Sequence, residues 1–160
     1  MIKSSWVNDQ RLFLRQVEFL FLIEMKTRET ATIMDFNELF SQESEAWLRE
    51  LDFLLMEVSF LKTRLSHVVD VASGRDTILE AEAFQSGFIT TEDSVRRLVA
   101  EVKFQIEQVN YSKGIKDQKQ EKKVSTAQEY LRAAMMKLEK EFSEMRRRFN
   151  QWVIGNIRVN

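Results

Sequence analysis

Apolar residues recur at alternating gaps of three and four positions in three segments of the chain, the heptad pattern of packed helices. A strand would need period two, which none of these segments has. The pattern predicts an all-α fold, an elongated antiparallel helical bundle of three long, coiled-coil-like helices near residues 36–72, 77–112 and 118–154. The main stripe positions are Trp47, Leu51, Leu54, Val58, Leu61, Leu65 and Val68, then Ala81, Phe84, Phe88, Val95, Leu98, Val102 and Val109, then Leu131, Met135, Leu138, Phe142, Met145, Phe149 and Trp152.

Helix-ending signals lie between these segments. The stretches 35–38 and 77–80 read Asp-Phe-Asn-Glu and Thr-Ile-Leu-Glu, which fit the capping box of a helix start. Gly74, Gly114 and Gly155 each follow a periodic run, where a left-handed glycine closes a helix. Gly87 lies inside the second pattern, and we expect it to mark a bend or a close contact between helices.

Residues 1–34 have a less regular pattern. Val17, Phe19, Phe21 and Ile23 alternate like a strand, but Leu20 between them blurs the alternation. We expect a helix here, with a strand as the competing interpretation. The sequence therefore predicts an N-terminal apolar segment or extension over 1–34 and a bundle domain over 35–160. A further hypothesis places the true start of the protein at Met34, immediately before the first capping box.

The composition narrows the chemistry. The 160 residues include no cysteine, no proline and a single histidine. Without cysteine there is no disulfide, thiolate nucleophile or cysteine-based zinc site, and one histidine cannot supply a histidine triad. The chain also lacks a glycine-rich phosphate loop and a G-x-S-x-G motif. We expect no enzymatic activity, no cofactor and no metal, a structural or surface role for His67, and a cytoplasmic location, with which the absence of cysteine is compatible.

Charge is unevenly distributed. Residues 35–110 contain seven basic and fifteen acidic groups, a net of −8, whereas residues 111–160 contain twelve basic and six acidic groups, a net of +6. The simplest interpretation is complementarity between an acidic hairpin and a basic third helix, and the alternative is an acidic partner for that helix. We expect Arg146, Arg147 and Arg148 to form a solvated surface rather than a nucleic-acid site, because consecutive helical residues point in different directions.

Polar residues at stripe positions have a separate interpretation. Gln105, Gln128, Thr91 and Ser44 lie where the heptad pattern places the core. Buried polar side chains at such positions can fix the register of helices at some cost in stability. For Gln128, a place near a helix end that water reaches is equally compatible with the sequence.

The apolar faces of the first and second predicted helices are wider than contact with a single neighbouring helix requires. The extra positions belong either to internal packing or to a surface for a protein partner or a second copy. We expect a non-enzymatic helical scaffold or interaction protein, with no nucleic-acid partner, that buries an apolar helix face against another helix. The candidate surface residues are Phe53, Phe60, Val99, Ile106 and Met136.

The alternative function is peripheral association with a membrane surface through residues 11–25. This segment combines phenylalanine and leucine with two arginines, which suits an anionic lipid interface. Its charges and length do not suit a membrane-spanning helix. A binding site for an apolar ligand inside the bundle is a third interpretation, which no group of converging polar residues supports.

Overall fold

The computed structural model describes the backbone at residues 3–71, 74–115 and 117–157, and the side chains at residues 20, 22–28, 36–71, 74–115 and 117–156. It contains α1 (Lys3–Val71), α2 (Arg75–Ser112) and α3 (Gln118–Ile157). These backbone ranges contain no strand, so the all-α prediction is confirmed and the strand interpretation of the N-terminal segment is wrong at residues 3–34.

The chain divides into two compact units, Met1–Leu39 and Phe40–Asn160. The first unit is helical, and its described apolar side chains at Leu20, Leu22 and Ile23 are exposed. The second unit contains the helical bundle. The predicted boundary after residue 34 stays a prediction, because compactness does not show that either part folds independently.

Helices α2 and α3 form an antiparallel hairpin. Thr77, near the start of α2, donates a hydrogen bond from Oγ1 to Oδ1 of Asn156, near the end of α3, at 3.1 Å. Towards the other end of the hairpin, Gln105 Nε2 donates to Gln128 Oε1 at 3.0 Å. The short connection between the helices enforces this arrangement.

Within the bundle, α1 runs parallel to α3. Ser44 Oγ lies 3.3 Å from Gln128 Nε2, and further along both helices Arg64 Nη1 donates to Asn150 Oδ1 at 3.2 Å. Because positions increase together on the two helices, α1 and α3 have the same direction and α2 is antiparallel to both. This is the up-down-up order of a three-helix bundle.

The predicted stripes form one continuous core. All seven stripe positions of the first segment are buried, and they pack with buried positions of α2 and α3. Burial of each large apolar side chain contributes about 1.5–3 kcal/mol before the entropy cost of ordering the chain. In α3 the stripe shifts at its end, where Val153 is fully buried and Trp152 is half-buried.

An aromatic cluster closes the end of the bundle near the α1–α2 connection. Phe149 packs edge-on against Phe84 and Phe88, with ring centroids 5.3 and 5.2 Å apart. Trp152 lies 5.4 Å from Phe84 by the same measure, and its Nε1 donates to Glu80 Oε2 at 2.6 Å. Such pairs add to the area term because ring edges and faces attract each other.

A buried polar layer joins the three helices near the opposite end. Gln128 is fully buried, and its Nε2 donates to Glu43 Oε2 at 2.8 Å. Gln105, also buried, donates from Nε2 to the carbonyl oxygen of Val124 at 2.9 Å as well as to Gln128. The prediction that these glutamines occupy the core is therefore confirmed. Because a shifted register would leave these amides unpaired, the layer specifies the alignment of the helices.

The predicted helix ends are only partly correct. Gly114 has φ +94° and follows the end of α2, as predicted. Gly74 instead has φ −90° and is the N-cap of α2, while Gly155 lies inside α3. A left-handed closing role is therefore wrong for both. Gly87 lies close to α3, since a Cβ atom there would be 3.0 Å from Met145 Sδ, which agrees with a close contact between helices.

The two capping boxes do not start helices. Residues 35–38 lie within α1, which continues without interruption, because nothing in this stretch prevents helical geometry. The N-cap of α2 has no side-chain hydrogen bond, and Thr77 bonds to Asn156 instead. At α3 the cap is Asp117, whose Oδ1 accepts a hydrogen bond from the backbone N–H of Lys119 at 2.9 Å.

Candidate interaction surface

Two ion pairs between α1 and α3 define their register. Arg132 donates from Nε and Nη2 to the two carboxylate oxygens of Glu43, both at 2.7 Å. Arg146 Nη1 donates to Glu57 Oε1 at 2.5 Å. The partners are 89 positions apart in both pairs. The charged side chains that face each other across this groove are therefore 89 positions apart, whereas the shorter core side chains of Ser44 and Gln128 meet at a separation of 84.

These ion pairs agree with the expected complementarity between an acidic and a basic helix. They also correct the expectation for Arg146, which is half-buried, bonds to Glu57 and lies with its guanidinium carbon 5.8 Å from the ring centroid of Phe142. Arg147 and Arg148 are exposed, as expected for a solvated surface.

A pair of like charges lies between the two ion pairs. Glu50 is seven residues from both Glu43 and Glu57, and Glu139 stands 89 positions after it, at the same separation as the arginine partners of those two glutamates. Within each helix, the residues three and four positions from these two glutamates carry no positive charge. Burial and then the charge of Glu139 raise the pKa of Glu50. The series therefore alternates between attraction, repulsion and attraction along the α1–α3 groove.

The pKa of Glu43, one heptad before Glu50, is shifted in the opposite direction. Burial by itself raises the pKa of Glu43, but hydrogen bonds from Arg132 and Gln128 outweigh it, so that the pKa of Glu43 is lowered. Two glutamates one heptad apart on α1 thus have shifts of opposite sign, because one faces a guanidinium and the other a carboxylate.

Large apolar side chains border this groove on the outside. Phe53, Met56 and Phe60 of α1 have exposed fractions of 57%, 59% and 67%, and Met136 of α3 is 67% exposed. We call these four residues the outer face. The structure places Phe53, Phe60 and Met136, three of the five predicted surface residues, around the α1–α3 groove that contains Glu50 and Glu139.

The other two predicted surface residues lie elsewhere. Val99 and Ile106 of α2 are half-buried and pack against the core. They repeat every seven residues beside the main stripe, as do Leu48 and Leu55 of α1, which also pack against the core. At these four positions, the residues that widen the apolar faces of α1 and α2 therefore pack inside the bundle.

Sequence reasoning missed a groove between α2 and α3. It has a volume of about 450 Å³, and its lining includes Phe104, Ala127 and Tyr130. Both aromatic side chains are more than 60% exposed. Oε2 of Glu101, which also lines the groove, is buried without a hydrogen-bond partner among the described residues. The sequence feature that could have indicated this groove is the presence of two aromatic residues outside the heptad stripes, Phe104 and Tyr130, together with the small side chain of Ala127.

The part of the chain that the structure describes contains no group of three or more histidine, aspartate or glutamate residues arranged to hold a metal ion. His67 is exposed on α1. Within the same part of the chain, no helix has both the length and the hydropathy needed to cross a membrane. Comparison of the chain with family models, with curated proteins and with solved structures gives no match.

Proposed function

We propose that this chain is a non-enzymatic helical scaffold or interaction protein that docks through the outer face. One observation carries the proposal: Phe53, Met56 and Phe60 each expose more than half of their surface along one side of a helix whose opposite side is buried. Exposed apolar side chains that adjoin one another on a folded bundle are typical of protein interaction sites. A cytoplasmic location is part of the proposal, and the absence of cysteine is compatible with it.

The proposed mechanism is burial of this face against a helix of the partner. Its apolar residues supply the contact area, and Glu50 and Glu139 form an acidic centre with no positive charge three or four positions away on either helix. A partner that offers a positive charge at this centre is favoured, and one that offers a carboxylate is rejected. Charge thus selects the orientation in which the apolar contacts form.

Site-specific photo-crosslinking in the native host tests this proposal. A photoreactive phenylalanine analogue is placed at Phe60, and in a matched control at Ser86, which is exposed on α2. We expect a discrete crosslinked species with the label at position 60 and little or none with the label at position 86. The absence of any specific adduct at both Phe53 and Phe60 would contradict the proposal.

A second candidate is association with a membrane surface, which the first compact unit supports. Leu20, Leu22, Ile23 and Met25 are all exposed, with exposed fractions from 46% to 64%. Side chains at the remaining positions of the predicted segment 11–25, except Glu24, lie outside the described residues. Apolar side chains next to basic ones suit the boundary between headgroups and acyl chains.

Vesicle flotation separates this candidate from docking through the outer face. The full chain is mixed with anionic or neutral vesicles and compared with a variant in which Leu20 and Leu22 are replaced by serine. Membrane association predicts flotation with anionic vesicles that the two substitutions abolish. If the unchanged protein stays at the bottom of the gradient with both vesicle types, this candidate is wrong.

A further inference from the structure

We propose that the groove between α2 and α3 is a binding site for a small alkylammonium ion, which packs against the rings of Phe104 and Tyr130 and donates its N–H group to the carboxylate of Glu101. This groove lies between a different pair of helices from the α1–α3 groove beside the outer face. The inference is therefore independent of the proposed function, and either one can fail while the other stands.

The residues that form the groove share one side of each helix. Glu101 and Phe104 are three positions apart on α2, and Ala127 and Tyr130 are three positions apart on α3, so each pair projects from the same side of its helix. Ala127 contributes only a methyl group, which leaves room between the two helices. The resulting volume of about 450 Å³ falls within the range of about 300–1,000 Å³ that is typical of small-molecule sites.

Glu101 supplies the acceptor of the site. Its Oε2 atom is buried and accepts no hydrogen bond from any described residue. The neighbouring Gln105 has no donor left for it, because its amide nitrogen donates to Val124 and to Gln128. A buried acceptor without a donor destabilises the fold, and a bound N–H group removes this cost. Since the terminal torsion of a glutamate side chain is broad, the carboxylate can turn this oxygen towards a ligand in the groove.

The aromatic walls of the groove add a second preference for positive charge. Phe104 and Tyr130 are 61% and 62% exposed, so a ligand can reach both rings. The faces of such rings attract cations, and alkylated ammonium groups are recognised in this way. Of the described residues that line the groove, only Glu101 carries a carboxylate, whereas a Ca²⁺ or Mg²⁺ ion needs about six oxygen ligands. The groove therefore favours an organic cation over a metal ion, and it disfavours an anion.

Two basic residues of the chain lie near the site. Lys123 lines the groove, and Arg97 lies four residues before Glu101 on the same helix. Both are exposed, and neither donates a hydrogen bond to the buried oxygen of Glu101. Because a lysine ammonium is compact and strongly hydrated, that of Lys123 is better accommodated by solvent than by the aromatic walls. Its charge nevertheless repels a cationic ligand, so removal of this charge should strengthen binding.

Titration of the isotope-labelled full chain, followed by two-dimensional NMR, tests the site with four probes that share one aromatic ring. Benzyldimethylammonium has both a charge and an N–H group, and we expect it to bind with a Kd on the order of 1 mM and to shift the amide signals of the groove. Benzyltrimethylammonium keeps the charge without the N–H, and benzyl alcohol keeps a donor without the charge. Each should bind about fivefold more weakly. Benzoate reverses the charge and should not bind at these concentrations.

Substitutions in the groove test which residues bind the ligand. Glu101→Gln keeps the size of the side chain and removes its charge, and it should raise the Kd of benzyldimethylammonium about tenfold. Tyr130→Leu should raise this Kd about fivefold, whereas Tyr130→Phe keeps the ring and should leave it unchanged. Lys123→Met should lower it. The matched control is Glu107→Gln, which makes the same change at an exposed α2 residue outside the groove and should have no effect.

Several results would overturn the inference. They are unshifted groove signals with benzyldimethylammonium, equally tight binding of benzyl alcohol or benzyltrimethylammonium, and binding of benzoate. A Glu101→Gln variant that binds as tightly as Glu107→Gln, or a Lys123→Met variant that binds more weakly than the unchanged protein, would overturn it as well. Helical circular dichroism checks the fold of each variant, and the probe series on the unchanged protein decides the matter even if a variant does not fold. Photo-crosslinking at Phe60 tests only the outer face, so its failure would leave this site standing.

Discussion

Removal of the like-charge pair should stabilise the folded bundle. Glu139→Gln removes the repulsion with Glu50, and Glu139→Arg replaces it with the attraction that Glu43–Arg132 and Glu57–Arg146 show one heptad away on either side. Both glutamates are exposed at the edge of the groove, so the free energies are those of surface pairs rather than buried ones. In the Glu139→Arg variant, Glu50 would therefore have an ion pair like those of Glu43 and Glu57.

The magnitude follows from the measured range for exposed pairs. Such pairs contribute about 0.2–1 kcal/mol, and like charges cost similar amounts. We therefore expect Glu139→Gln to raise the free energy of unfolding by about 0.5 kcal/mol and Glu139→Arg by about 1 kcal/mol. For a chain of this length, 1 kcal/mol corresponds to a rise in Tm of roughly 2–4 °C.

The assay is thermal and urea unfolding of dilute protein, in which association does not contribute. The matched control is Glu82→Arg, which changes net charge equally at an exposed α2 glutamate that has no charged residue three or four positions away and no ion-pair partner among the residues described. Net charge alone predicts equal effects of the two arginine variants. The register described above predicts that only Glu139→Arg stabilises.

The dependence on pH provides a second check. Because the pKa of Glu50 is raised in the folded state, the folded protein holds this proton more tightly than the unfolded chain does. The destabilising contribution is therefore present at neutral pH and disappears as the pH falls towards and below the ordinary value of 4.5. Two results would show that repulsion between Glu50 and Glu139 does not destabilise the fold. One is a Glu139→Gln variant no more stable than the unchanged protein at pH 7, and the other is a gain in its free energy of unfolding that does not decrease in acid.

Three further predictions concern other parts of the bundle. A double-mutant cycle with Gln105→Leu and Gln128→Leu should give a coupling free energy of about 1–2 kcal/mol in urea unfolding, because each single variant leaves the amide of the other glutamine buried without its partner. If the changes in unfolding free energy of the two single variants simply add up in the double variant, the two glutamines do not form the buried polar layer. Gly155→Ala should stabilise by about 0.5–1 kcal/mol, because the site is helical and a Cβ atom there meets nothing within 4 Å; a lower Tm would show that the helix does not continue through it. Hydrogen bonds from Lys62 and Arg96 lower the pKa of Glu92 to about 2, so the stabilisation from this carboxylate is lost as the pH falls from 4.5 towards 2; carboxyl NMR should show the pKa rising in Lys62→Met, and an unchanged value would exclude the ion pair in solution.

The core could be predicted in detail because heptad spacing and burial report the same geometry. Leu51, Val58 and Val95 have nearly no exposed surface, as their stripe positions predict. The polar layer was also predictable, since Gln105 and Gln128 interrupt apolar stripes at core positions. In each case the information is contained within one helix.

Features that depend on two helices at once were not accessible from the sequence. The Glu50–Glu139 pair requires knowing that α1 and α3 are parallel neighbours whose facing charged positions are 89 residues apart, and that separation depends on where the connections end. The continuity of α1 was missed because a capping box is permitted inside a helix as well as at its start. The exposure of Phe104 and Tyr130 depends in the same way on how α2 and α3 approach each other.

The parallel arrangement of α1 and α3 is the central claim, since both the like-charge pair and the outer face depend on it. Spin labels at Ser59 of α1 and at either Arg148 or Ala133 of α3 test it by distance measurement in a cysteine-free background, with labelled protein diluted into unlabelled protein. Arg148 lies within about five residues of the level of Ser59, whereas Ala133 is displaced along the helix by at least about ten residues, or roughly 15 Å at about 1.5 Å per residue. We expect the 59–148 distance to be clearly the shorter of the two. Equal distances, or a shorter 59–133 distance, would contradict the account.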